Sequence, residues 1–146
     1  MDIKKSPWGI TDIWQDVVRD PEGIEQASMI NRDTGERYLS HSKLDKLPKE
    51  WQYVIKKHEE GHYCLQTDYP RGQDLINEKL ADTYAFYEYV QKYDSLTNFI
   101  DAISYMLACN QNEAGANPDH DERVRWAMQL CKNYDYYVNG NERAKM

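Results

Sequence analysis

The chain has 146 residues, with 18 basic against 25 acidic side chains and a net charge of −7. That length suits one domain with a core of its own, and 40% hydrophobic with 29% charged residues is a globular composition, not a disordered one. The acidic balance argues against nucleic acid or an anionic membrane as main partner. No apolar run reaches a transmembrane length, and residues 1–5 lead into no signal-peptide core, so a cytoplasmic setting is expected. In chain order, residues 11–19 read as a short helix capped by Thr11, with Ile13, Trp14 and Val17 inward. Residues 27–31 and 36–41, around Arg32-Asp33-Thr34-Gly35, read as a β-hairpin.

A long helix follows over 48–67. Pro48 suits its first position, and Trp51, Val54, Ile55, His58, His62 and Leu65 follow the three-and-four spacing of one buried stripe. Asp68-Tyr69-Pro70-Arg71-Gly72 is turn chemistry and stops it. A second helix spans 74–92 and a third 95–109, the latter with Leu96, Phe99, Ile100, Ile103 and Leu107 on one face. A fourth begins near Asn117-Pro118 and carries Val124, Ala127, Met128 and Cys131 inward, with Asp119, Asp121 and Glu122 favouring its positive end. Residues 139–146 read as a frayed tail. The three cysteines, Cys64, Cys109 and Cys131, are odd in number at helical positions and read as reduced core thiols.

The chemistry sits in His58-Glu59-Glu60-Gly61-His62, an HExxH run inside the 48–67 helix. Two histidines four apart share one helix face, so both imidazoles can reach one metal ion. Glu59 projects beside that face, where a carboxylate can take a proton from water activated by the metal. Glu60 points about 100° further round, toward solvent or a cleft wall. Gly61 costs about 1 kcal/mol of helix propensity relative to alanine. A close approach by another backbone segment would explain its presence; the alternative is a tolerated surface glycine.

Zinc held by two histidines needs a third protein ligand and an open position. After the turn the chain reads Asn77-Glu78-Lys79-Leu80-Ala81-Asp82-Thr83-Tyr84-Ala85. With the HExxH run before it, this resembles the gluzincin metallopeptidases, whose third ligand is a glutamate on the next helix in an ExxAD or ExxAN setting. Glu78, Ala81 and Asp82 match, and Tyr84-Ala85 continues as in the small ImmA/IrrE-like peptidases. The likeness covers residues 37–90, the metal-site core, with helices over 95–138 behind it.

Helix register, taken without the family, pairs the same residues. In an antiparallel hairpin around Pro70-Arg71, His62 lies eight residues before Pro70 and Glu78 eight after it, so they face each other. Asp82, one turn on, comes level with His58 and can accept its free ring N–H. The rival third ligand is Asp68, six residues after His62. Peptidases with that compact spacing turn the chain at a glycine, where this chain has Leu65, so Asp68 reads as a turn residue.

The resemblance implies an α+β, mostly helical, zincin-like minigluzincin with one hairpin and about four main helices. It implies Zn²⁺ on His58, His62 and Glu78, Glu59 as general base, Asp82 behind His58, and hydrolysis of a protein or peptide substrate. In such folds a strand beside the active-site helix pairs with extended substrate, and residues 37–42 are the candidate edge, the equal alternative being a plain core hairpin. The stretch from Asn117 to Val124, with Pro118 and Arg123, looks like the His-Pro…Arg-Ile element of some larger HExxH peptidases, with Asn117 in place of the histidine. His120 in that stretch is a candidate for stabilising the oxyanion or contacting substrate, as are several of the twelve tyrosines. The alternative is a non-catalytic metal-binding structural, assembly or regulatory protein, virion-associated if of phage origin.

Overall fold

In the computed structural model, which describes residues 3–5, 9–65, 74–109 and 118–135, short strands fill the first third of the chain and helices the remainder. The strands are β1 (Ile3–Lys5), β2 (Thr11–Gln15), β3 (Val18–Arg19), β4 (Glu25–Gln26), β5 (Ser28–Ile30) and β6 (Glu36–Ser40). A one-turn helix α1 (His41–Leu44) leads into α2 (Lys49–Leu65), α3 (Asp74–Val90), α4 (Leu96–Cys109) and α5 (Pro118–Asp135). The mostly helical α+β class is therefore present. The turn at 68–72 with Asp68, residue Asn117, and the tail 139–146 lie outside the described residues.

Four strands form one sheet in the order β1-β2-β6-β5, and β3 pairs with β4 in a separate two-stranded ribbon. The helix expected over 11–19 is absent; those residues form β2 and β3. Partners on both sides decide it. Ile13 lies opposite Ile3 in an antiparallel pair and opposite Tyr38 in a parallel one, so the backbone of β2 is hydrogen-bonded along both edges. Thr11, Ile13 and Trp14 are also residue types that fit a pleated, half-buried surface. Val17 ends up exposed, not inward.

The expected hairpin is β5–β6, with Ser28 opposite Leu39 and Ile30 opposite Arg37. Its turn is built by Asn31, whose side-chain oxygen accepts from the N–H groups of Asp33 and Thr34. Gly35 closes the turn at a φ of +77°, where a Cβ would also lie 2.8 Å from the carbonyl oxygen of Gly9. Both reasons demand glycine. The segment 37–42 is not the sheet edge, because β2 occupies its other side; the edge strand beside the helices is β5.

A buried ion pair ties sheet to helix. Arg37 donates to Asp12 at 2.6 Å and to the carbonyl of Lys56 on α2 at 2.9 Å. Pro48 stands just before α2, its carbonyl accepting from the N–H groups of Trp51 and Gln52. Val54 and Ile55 are buried, Trp51 is half-buried, and Leu65 at the helix end is exposed. Val54 and Ile55, with Trp51 packed against them, join Phe86, Tyr89, Phe99 and Ile103 in one apolar core. On α5 the inward face is Arg123, Ala127, Leu130 and Cys131, while Met128 is 53% exposed. Met128 is one residue past Ala127, about 100° round the helix, and so faces away. All three cysteines are free, but Cys64 is exposed and belongs to no core. No helix among the described residues is long and apolar enough to cross a membrane.

Gly61 has the close neighbour its position implied. A Cβ there would lie 3.0 Å from the Tyr84 Cβ and 3.1 Å from both the Cα and the carbonyl oxygen of Ala81. Helices α2 and α3 thus approach closely beside the two histidines.

Candidate metal centre

The second half of α2 carries an unusual load for a buried helix face. His58, Glu59, Glu60 and His62 are each less than a tenth exposed. Burial of polar groups is costly unless each finds a partner, so their partners define the site. Glu78 comes opposite His62, with Oε1 at 3.2 Å from His62 Nε2, and its Oε2 lies 3.1 Å from His58 Nε2. The two Nε2 atoms are 3.2 Å apart. The three side chains, from two helices, thus form a triangle whose contacts use both Glu78 oxygens, and His58, His62 and Glu78 are a group that could hold a metal ion.

Asp82 comes opposite His58 and accepts from its Nδ1 at 2.8 Å. Glu78 accepts from its Nε2, so both ring nitrogens of His58 donate, which only the imidazolium does. Burial lowers the pKa of His58, but the carboxylates of Asp82 and Glu78 outweigh it and lift it to about 10. Burial likewise pushes the Glu78 carboxyl up, and the hydrogen bonds from the two histidines overrule it, holding it well below the usual range. On the other side of the site Arg32 places Nη2 at 3.0 Å from His62 Nδ1. A guanidinium offers only donors, so Nδ1 accepts and Nε2 of His62 carries the hydrogen, directed at Glu78.

Asp82 is wholly buried and is held by Arg123 of α5, which donates to both carboxylate oxygens at 2.9 Å. Burial raises the Asp82 pKa, but the charge of Arg123 and the hydrogen bond from His58 win, keeping it ionised. The same guanidinium reaches Glu78 at 3.3 Å. Arg123 therefore fixes both the residue behind His58 and the third corner of the triangle. Helix α5 was legible as a buried helix, and Arg123 lay inside the His-Pro…Arg-like stretch. Its partners were not legible, because they lie 41 residues away on α3.

Glu59 is buried beside the triangle, and its Oε1 accepts from Ser28 Oγ on the edge strand at 3.0 Å. Ser28 carried no signal in the sequence; its position follows from the β5–β6 register. Glu60 does not face solvent or a cleft. It is buried against α3, accepting from Tyr84 at 2.8 Å and Lys57 at 2.7 Å. An open cleft of about 240 Å³ leads to the triangle and is lined by His58, Glu59, His62 and Glu78 on the helices and by Ser28 and Arg32 opposite. No described tyrosine lines it, and neither does His120. His120 is half-buried on the first turn of α5, with Nδ1 buried and unpartnered, while Arg123 one turn later takes the position facing Glu78.

Comparison with known proteins returns no match: no family model fits the chain, and no curated protein or solved structure matches it.

Proposed function

We propose that the protein is a zinc-dependent metallopeptidase of the gluzincin type on a zincin-like fold, with His58, His62 and Glu78 as ligands and Glu59 as general base. The observation that carries this is the meeting of two Nε2 atoms 3.2 Å apart with the Glu78 carboxylate, one oxygen 3.1 Å from His58 and the other 3.2 Å from His62, opening onto a cleft walled by a buried glutamate. Two imidazole nitrogens at about 2.05 Å from a tetrahedral zinc lie about 3.3 Å apart, close to the 3.2 Å between the two Nε2 atoms here. The donors, two imidazoles and one carboxylate, are those of a catalytic zinc site with a position left open.

Bound zinc supplies Lewis acidity, making water acidic near neutral pH and polarising a peptide carbonyl. Glu59 accepts the proton of the attacking water and delivers it to the leaving amine. Ser28 donates to Oε1 of Glu59 and holds that carboxylate in the cleft wall. Asp82, clamped by Arg123, holds His58 with its Nε2 directed at the metal position and makes that ring a stronger ligand. Strand β5 forms the cleft wall opposite the helices and is the free edge on which an extended chain can add by main-chain hydrogen bonds. The substrate class is protein or peptide.

The test is hydrolysis of a diverse peptide library by the zinc-loaded protein and by its Glu59→Gln form. Cleavage by the first and not the second is the expected result. Full zinc loading with no cleavage by either form overturns the peptidase reading and leaves a non-catalytic metal-binding protein.

A further inference from the structure

The sheet has a second hollow, on the face that turns away from the metal centre. Side chains alternate along a strand, and Ser28 of β5 points at Glu59 on α2, so Met29 points the other way. Tyr38, its cross-strand partner, shares that outer face, since Arg37 before it bonds to α2 and Leu39 after it joins the core. The β3–β4 ribbon stands over this face. Between ribbon and sheet lies an open pocket of about 340 Å³, lined by Val18, Pro21, Met29 and Tyr38.

These four walls are largely apolar, and the charged groups beside them are already paired. Asp20 accepts from the N–H groups of Glu22 and Ile24 and from Gln26. Arg19 donates to the Gly23 carbonyl and to Glu25. An ionised group entering here sheds its water and meets charges that have partners, whereas an apolar side chain gains by leaving water.

Asp20 and Met29 line both this pocket and the metal cleft, so the two hollows adjoin across β5. No described strand pairs with the other edge of β5. In a chain added along that edge, the residue opposite Met29 sends its side chain to the outer face, and the residues on either side of it send theirs toward α2. Strand geometry thus delivers one side chain to the pocket while its neighbours face the cleft.

We propose that the pocket under the β3–β4 ribbon is a specificity subsite for one large apolar side chain of the substrate, next to the scissile bond. Its nearness to that bond follows from Ser28, the neighbour of Met29, which holds Glu59. The proposal rests on the peptidase reading and narrows its substrates to peptides with a residue such as Leu, Met or Phe at that position.

The test is capture from a pool of short random peptides, blocked at both ends, by the zinc-loaded Glu59→Gln protein, so that binding is read without turnover. We expect one position to be enriched in Leu, Met and Phe over Asp and Lys by at least about tenfold. Met29→Lys and, from the facing wall, Pro21→Lys each bring a charge into the pocket and should abolish the enrichment. Pro21 sits on an exposed turn, so its variant keeps the test open if Met29→Lys does not fold. Zinc-loaded wild type should cut the captured peptides next to the enriched position. No capture, no apolar enrichment at any position, or an enrichment that survives in both variants or in the one that folds would each overturn the inference. Cleavage with no preference beside the cut sinks this proposal alone, whereas apolar-selective capture without any cleavage by the wild type sinks the peptidase reading alone.

Discussion

The two halves of α2 are buried to similar depth and hold opposite contents. Val54 and Ile55 are fully buried in the apolar core, whereas one turn later His58, Glu59, Glu60 and His62 are buried among ions. The first half is stabilised by removing apolar surface from water, at roughly 25 cal/mol per Å². The second gains nothing that way; each polar atom must be matched, and the matches come from β5, α3 and α5. One helix is thus scaffold at its start and site at its end. Substitutions in the two halves should therefore fail differently, the first losing stability and the second losing chemistry.

The sharpest division should come at Glu59. Glu59→Gln keeps shape and ligands but removes the base, so kcat/KM should fall by about 10²- to 10⁴-fold or more, with zinc content and melting temperature near wild type. A variant that lost both zinc and stability would place Glu59 on the scaffold side of the comparison. Next is Arg123. Arg123→Gln leaves Asp82 buried with His58 but without the guanidinium that holds both its oxygens, which should cost about 3 kcal/mol in denaturant unfolding. Zinc should also bind more weakly, since His58 and Glu78 both lose their support; unfolding unchanged from wild type would contradict the clamp.

The boundary between the halves can be probed at Gly61. Alanine there gains about 1 kcal/mol of helix propensity but meets the backbone of Ala81 at 3.1 Å, an overpacking that costs about 1–3 kcal/mol. We expect a net loss of about 1 kcal/mol and weaker metal binding, because parting α2 from α3 moves Glu78 away from the histidines. A stabilised variant with intact metal affinity would show that the close approach is incidental.

The smallest effect is a proton count. His58 without metal has its pKa raised from 6.5 to about 10, so it is charged at pH 8. The stabilisation this brings to the metal-free protein is fully present below about pH 6.5 and is lost as the pH rises through about 10. Metal must displace that proton, so calorimetry at pH 8 in buffers of different ionisation enthalpy should report at least about one proton released per zinc, with ionisation of metal-bound water adding to it. No release would contradict the imidazolium.

The sequence was most legible where chemistry and period coincide. Spacing alone set the four long helices and brought His62 opposite Glu78 and His58 opposite Asp82, because helix geometry is local. It misread residues 11–19, where strand formation depends on partners at residues 3–5 and 36–40 that no local pattern announces. The same omission made residues 37–42 seem an edge. The second ring of the site was hidden for a related reason: Ser28, Arg32 and Arg123 reach the motif across 31, 30 and 41 residues of sequence. Glu60 was misplaced because its burial depends on Tyr84 and on how closely Gly61 lets α3 approach.

The most direct test of the central claim is elemental analysis of the purified chain, wild type and variants side by side. The account predicts one zinc per chain, removed by chelator and absent from the His58→Ala/His62→Ala double variant. It also predicts a site weakened in Glu78→Gln and unchanged in Asp68→Asn. Equal metal content in wild type and the double variant would contradict the metal centre outright, and loss in Asp68→Asn with retention in Glu78→Gln would contradict its third ligand.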